Sequence, residues 1–369
     1  MTNQLKVDLF NKATKEIKYK PEDYECCATK NGCSFLIRVP ENSIYTCEIK
    51  LKRSKDLTTM LGEIQIEAKT EKEIVGTHPS YQSGTCSFSF DESSILRNNK
   101  ENVGIRSERV FIHFPTEFKQ GEKVFVKAFI NRAYCENDYN IILDLSLREA
   151  NQNGFEILIR TWHLGCVYSA GISWFAFTER SGIQSDVFNV SNNDSFMNKP
   201  GELREVKKNV SAPNNSKLFS ALSCVDIYKG KNHRIMLKNQ KNQNSFDLSF
   251  STWSDTIVYI VEASYLVLPD NFRCGENYFP IDECTPVLGS KNQCDREAIR
   301  KIKFDPPFGE NDKIVVRTGI NNFDNNCDFC LRLDVSVQNV DRFGFELRYF
   351  TWLTSKLYAV GASWIAYSA

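Results

Sequence analysis

The chain has 369 residues, with 46 basic and 46 acidic side chains giving a formal net charge of zero, and 41% of it is hydrophobic. That composition excludes a disordered chain, and the interspersed, balanced charge offers no electrostatic footprint for nucleic acid or an anionic membrane surface. The length implies two to four domains of about 100 residues each, and 26 Phe with 14 Tyr favour strands over helices.

Residues 1–20 lack the apolar stretch of a secretory signal, and the longest apolar-rich run, 257–268, is broken by Glu262 and too short to span a bilayer. The expectation is a soluble protein without a membrane span, in a cytoplasmic assembly or carried to the cell surface by an unconventional route. Residues 1–80 match nothing else in the chain and read as a β-rich region with alternating strands at 45–51 and 62–68. Cys26, Cys27, Cys33 and Cys47 lie there without zinc-finger spacing. The 13 Cys of the whole chain are odd in number and unevenly spread, so they define no disulfide framework.

From residue 81 onward one pattern occurs three times. GFEILIRTWHLGCVYSAGISWFAF begins at Gly154, SFDLSFSTWSDTIVYIVEASYLVL at Ser245 and GFELRYFTWLTSKLYAVGASWIAY at Gly344. The first and last copies align without a gap at a shift of 190, which pairs Phe114 with Phe304, Trp162 with Trp352 and Trp174 with Trp364. The middle copy needs one deletion, which sets Val206 and Val210 where the paired Phe residues stand in the others. The resulting division is 1–80, 81–180, 181–270 and 271–369, with Asn- and Ser-rich 177–208 and Pro-containing 268–286 read as junctions. Four N-x-S sequons, at Asn189, Asn193, Asn209 and Asn214, fall in this Asn-rich region, where they read as chance matches.

Within each copy, apolar residues alternate with polar ones, as Phe246, Leu248 and Phe250 do with Asp247, Ser249 and Ser251. The fold class is therefore all-β, a tandem array of antiparallel β-sandwiches. Counting by parity, Trp162, Trp253 and Trp352 point outward. Tyr168, Tyr259 and Tyr358 share parity with the core residues Trp174, Tyr265 and Trp364, and are expected mainly in the core. The CDFC of 327–330 stands alone and reads as a structural pair or two free thiols, and no phosphate loop, HExxH or nucleophile elbow is present. The protein is expected to be no enzyme, with no cofactor and no metal.

The arrangement of Arg, twenty residues, TWH, then Tyr six and Trp twelve residues after the first Trp resembles the H-type lectin domain, known from a snail N-acetylgalactosamine-binding agglutinin and the discoidin C-terminal domain. YQSGTC at 81–86 is similar to that family's first strand. The resemblance implies a six-stranded antiparallel sandwich that associates as a trimer, with sugar held in a cleft between neighbours. Arg and an acidic residue would come from one side, the Trp-His pair and Tyr from the other. An aromatic face suits the C–H face of a galactose-type ring, while Arg and His donate to its hydroxyls and a carboxylate accepts from them.

No single copy carries the whole set. Repeat 1 keeps Trp162, His163 and Tyr168 but has Ile142 in place of Arg. Repeat 3 keeps Arg332, Trp352 and Tyr358 but has Leu353 in place of His; repeat 2 has Trp253, Ser254 and Tyr259, with Arg234 at nineteen residues. An intrachain pseudo-trimer would let Trp162 and His163 face Arg332 or Arg234, with Asp295 as the acidic member. Two functions follow. One is a lectin for galactose or N-acetylgalactosamine-type glycans using repeat 1. The other is a structural or assembly subunit whose Trp162, Trp253 and Trp352 dock other protein subunits.

Overall fold

The computed structural model describes residues 78–91, 93–97, 104–191, 201, 203–279 and 296–369 with their side chains, and the backbone of the strands that precede them. The chain forms two compact units, Met1–Ile74 and Val75–Ala369. In the first unit, β1 (Asn3–Leu9), β4 (Gly32–Val39) and β3 (Tyr24–Thr29) make one antiparallel sheet; β2 (Ala13–Lys15), β6 (Gly62–Lys69) and β5 (Thr46–Leu51) make another. The two strands read from alternation are β5 and β6, paired antiparallel. The side chains of Cys26, Cys27, Cys33 and Cys47 lie outside the described residues.

The second unit holds three sandwiches of six strands each. Sandwich 1 comprises β8 (Tyr81–Ser89), β9 (Arg106–His113), β10 (Val124–Cys135), β11 (Ile141–Ala150), β12 (Gly154–Thr161) and β13 (Val167–Thr178), with β7 (Gly76–His78) added beside β8. Sandwich 2 comprises β14 (Gln184–Val190), β15 (Leu203–Ser211), β16 (Lys217–Ile227), β17 (His233–Lys241), β18 (Ser245–Trp253) and β19 (Val258–Leu268). Sandwich 3 comprises β20 (Arg273–Phe279), β21 (Arg296–Lys303), β22 (Ile314–Asn325), β23 (Leu331–Gln338), β24 (Gly344–Thr351) and β25 (Leu357–Ser368). The segments expected to be junctions thus each supply the first strand of the next sandwich, β14 and β20, because a polar, Asn-rich edge strand carries little of the apolar alternation that marks a central one. Strand register also corrects the gapped alignment: Ser211 opposes Ser245 as His113 opposes Gly154, so Ala212, not Val206 or Val210, stands at the position of Phe114.

Each sandwich contributes half of two different sheets. The sheet order β21-β24-β23-β10-β13-β8-β7 joins sandwich 3 to 1, β14-β19-β16-β11-β12-β9 joins 2 to 1, and β15-β18-β17-β22-β25-β20 joins 2 to 3. The pairs β10·β23, β16·β11 and β22·β17 are equivalent, so backbone hydrogen bonds close the three sandwiches into a ring with pseudo-threefold symmetry. On its axis stand Phe129, Ala221 and Gly319, which oppose Ser173, Ser264 and Ser363 in the same register. A Cβ on Gly319 would come within 2.5 Å of Ala221 Cβ and 3.0 Å of Phe129 Cβ. A homotrimer would need three identical side chains here, whereas one chain can fill the axis with a large, a small and an absent one. Trp174 and Trp364, read as core, pack on Phe155 and Phe345, and each lies over a glycine of the first strand, Gly84 or Gly275, that leaves room for the indole. Sandwich 2 solves the same position with Tyr265 and Asp186, joined by a 3.3 Å hydrogen bond.

Candidate functional site

Two local devices recur in every sandwich and place the outward Trp and the Tyr. The residue after Trp is left-handed in all three: His163 at φ 46°, Ser254 at 56° and Leu353 at 54°. None is Gly, so the surroundings must hold a backbone that an isolated residue disfavours by about 1–2 kcal/mol. A buried guanidinium does so. Arg106 Nη2 donates to the carbonyls of His163 (3.0 Å) and Gly165 (2.5 Å), and Arg204 Nη2 to that of Thr256 (2.7 Å). Arg296 holds the same register position, opposite Thr351 as Arg106 is opposite Thr161. The sequence carried that signal, since Arg106 and Arg296 are also 190 residues apart.

The second device is a β-bulge. Tyr134 opposes Ser169 and Cys135 opposes Val167, which leaves Tyr168 as the extra residue; Tyr259 and Tyr358 are left over in the same way. A bulge re-aims a side chain that strict alternation would send inward. All three tyrosines are consequently half-buried at the seams between sandwiches and not in the core, which corrects the parity reading.

Three clefts result, one per seam, each with Trp from one sandwich and Tyr from the next. At the seam of sandwiches 3 and 1, Arg332 Nη2 donates to Tyr134 Oη at 3.0 Å and its guanidinium lies 4.5 Å from the centre of that ring. Tyr134 stacks on Tyr168 at 4.5 Å, and Arg97 covers the far face of Tyr168 at 4.4 Å. Arg132 sits 4.8 Å over Trp352, which stacks on Phe350. Tyr168 Oη donates to Glu136 at 2.5 Å, and Cys330 Sγ to the same carboxylate at 3.0 Å. Burial tends to raise the pKa of Glu136, but these hydrogen bonds hold it below the usual range. This cleft is filled by its own side chains.

At the seam of sandwiches 2 and 3, Asp324 takes the place of Tyr134, opposite Arg234 as Tyr134 is opposite Arg332. Arg234 lies 3.4 Å from Asp324 Oδ2 and donates to Asp255 Oδ1 at 2.7 Å. Half-buried Trp253 and exposed Ser254 form the turn above, and Tyr358 accepts from Asn326 at 3.0 Å. Burial pushes the Asp324 carboxyl up to about 6 in spite of Arg234. Asp324 Oδ1 is buried here without a hydrogen-bond partner, while the Asn322 amide meets the Tyr278 hydroxyl.

At the seam of sandwiches 1 and 2, Trp162 Nε1 donates across the boundary to Asp226 Oδ2 at 2.7 Å, and Asn140 Nδ2 to Asp226 Oδ1 at 3.4 Å. His163 is exposed, Tyr259 is half-buried, and Tyr228 meets Tyr259 edge-on at 6.4 Å. Ile142, fully buried, opposes Asp226 where the other seams have Arg. The structure therefore does not bring Trp162 and His163 to Arg332 or Arg234. Each Arg stays in the cleft of its own sandwich's Trp, because the two lie on adjacent strands, and the partner sandwich adds the Tyr and the acidic residue. Tyr168 serves the cleft of Arg332 and Trp352, while Tyr259 serves that of Trp162. Asp295 lies outside the described residues. Cys327 and Cys330 are free thiols.

The family model for the H-type lectin domain matches residues 109–177 and 299–367. Both segments are H-type lectin domains. Their matched spans run from β9 to β13 and from β21 to β25, the strands that build the bulge and the left-handed turn. The H-type lectin domain is a carbohydrate-binding, non-enzymatic domain. Sandwich 2, between the two matched domains, shares their strand order, bulge and turn. No curated protein and no solved structure matches the chain. Among the described residues no helix is long and apolar enough to cross a membrane.

Proposed function

We propose that this chain is a lectin for galactose- or N-acetylgalactosamine-type sugars, acting as a binding module without metal or cofactor. Its principal site is the cleft between sandwiches 2 and 3. The observation that supports this is the Arg234–Asp324 couple, whose Asp324 Oδ1 no protein group satisfies, beside the half-buried Trp253. The apolar face of the sugar ring lies on Trp253, Arg234 donates to hydroxyl oxygens, and Asp324 accepts a hydroxyl proton. Tyr358 closes the side contributed by sandwich 3.

Repeat 1 supplies a second, different cleft. Its support is the exposed His163 beside Trp162, with Asp226 and Tyr259 across the seam and Ile142 still in the place of Arg. Arg332 belongs to neither site, being held by Tyr134. At that seam a purely structural role is favoured by a specific observation: the space is occupied by stacked Tyr134 and Tyr168. The same observation bears on docking of other subunits, since Trp162 and Trp352 already have partners within the chain.

A glycan array on the purified full chain, followed by titration with N-acetylgalactosamine, tests the reading. Binding that survives in Trp162→Ala and disappears in Trp253→Ala is the expected result. A blank array would transfer the role to a protein-assembly function.

A further inference from the structure

The ring places three equivalent residues, Tyr134, Asp226 and Asp324, at the ends of the long strands, each opposite one residue of the neighbouring sandwich. Tyr134 faces Arg332 and Asp324 faces Arg234. Asp226 faces Ile142, which is 0% exposed. Of the two carboxylates, then, one has a guanidinium beside it and the other does not.

Every group that packs on Asp226 bears this out. From sandwich 1 it receives two neutral donors, Trp162 Nε1 and Asn140 Nδ2. From its own sandwich, Tyr259 stands beside it, with Tyr228 edge-on to the Tyr259 ring. Lys229 is near in sequence, but its ammonium donates to the carbonyl of Asp138 at 2.8 Å and lies over Tyr139. The next carboxylate along the seam, Asp144, already holds Arg160 at 2.5 Å. His163, at the exposed rim, is the one remaining cationic candidate among the described residues that face it. A carboxylate with neutral donors, flanked by the rings of Trp162 and Tyr259, is complementary to an organic ammonium, which gains from both the charge and the ring faces.

We propose that the cleft between sandwiches 1 and 2 selects a sugar bearing a free ammonium group, a 2-amino-2-deoxyhexose, over its N-acetylated or neutral counterpart. The inference rests on the lectin reading for its sugar part; its cationic part stands on Asp226 alone. It also gives the two clefts distinct ligands: a neutral hydroxyl-rich ring where Arg234 balances Asp324, and an amino sugar where no guanidinium balances Asp226.

The test uses the full chain carrying Trp253→Ala to silence the other cleft, titrated at neutral pH with galactosamine, galactose and N-acetylgalactosamine. Galactosamine is expected to bind about tenfold more tightly than galactose, the scale of one uncancelled charge at partly screened range. Asp226→Asn should erase that preference, and Ile142→Arg, which copies the residue tolerated at the other two seams, should reverse it. Equal affinities, or a preference indifferent to Asp226→Asn, would overturn the proposal. If no sugar binds, the lectin reading fails at this cleft, and titration with tetramethylammonium decides the cationic part. A saturable change in tryptophan fluorescence that Asp226→Asn removes would uphold it, and no saturation would overturn it.

Discussion

The seam between sandwiches 3 and 1 and the seam between sandwiches 2 and 3 use equivalent strands in the same register, yet one is filled by stacked tyrosine rings and the other carries an Arg–Asp pair. The residue opposite the arginine is one that separates them. Where the first has Tyr134, whose ring stacks between Tyr168 and Arg332, the second has Asp324, too short to stack and charged enough to hold Arg234 at its edge. The filled seam joins segments roughly 200 residues apart, as in the 198-residue separation of Arg332 and Tyr134. Such a closure costs chain entropy that local contacts do not, and stacked rings with two covering guanidinium groups offset it. The lesson is that a repeated fold can keep its backbone and differ by side chain, with one seam closed by stacked rings and another carrying an Arg–Asp pair.

That contrast can be broken from either side. The largest effect is expected at the filled seam: Arg332→Ala removes a charged hydrogen bond and a ring contact at a residue only 6% exposed, and should lower stability by about 2–3 kcal/mol in denaturant unfolding. It should leave sugar affinity unchanged. Arg234→Ala should do the converse, weakening sugar binding at least about tenfold by calorimetry while lowering stability by about 1 kcal/mol, since Asp324 can take up a proton when its partner is lost. A stability loss as large as that of Arg332→Ala would show that both seams are structural.

The two seams should also differ in their response to pH. The folded Asp324 titrates near 6, above its ordinary value of 3.8, so folding favours its protonated form. Stability contributed by this group is therefore fullest below about pH 4 and declines as pH rises through about 6. Sugar binding runs the other way, because the ionised carboxylate is the better acceptor, and affinity should rise between about pH 5 and about 7. Asp324→Asn should flatten both profiles; a pH profile of affinity that survives that change would assign the titration elsewhere. The smallest expected effect is Tyr134→Asp, which copies the Arg–Asp pair into the filled seam. It should cost about 0.5 kcal/mol in stability, because the lost ring stacking is offset by the new Asp–Arg332 pair, and raise the number of sugar sites counted by calorimetry by one.

Much of this was legible from residues alone. The constant shift of 190 located the two matched domains, alternation placed Trp174 and Trp364 inside, and parity placed Trp162 and Trp352 outside, where they line clefts. Arg234, one residue off the expected spacing, does occupy the position of Arg332, because the intervening hairpin is one residue shorter while the strand pairing is unchanged. The tyrosines were misread because a bulge breaks the period of two at Tyr168, Tyr259 and Tyr358, and no residue type there announces it. The buried arginines that shape the turn, Arg106 and Arg204, were missed because a charged residue at a strand start reads as exposed until its carbonyl partners are seen.

The sequence by itself determined that the protein is built from repeated antiparallel sandwiches with an outward tryptophan in each, since hydrophobic period and repeat are properties of the chain. Only the tertiary structure decided which residues meet in a cleft. Ile142, Arg234 and Arg332 are set across from Asp226, Asp324 and Tyr134 by ring closure, and pairings between strands so distant in sequence follow from how three sandwiches share their sheets, information that no local pattern carries.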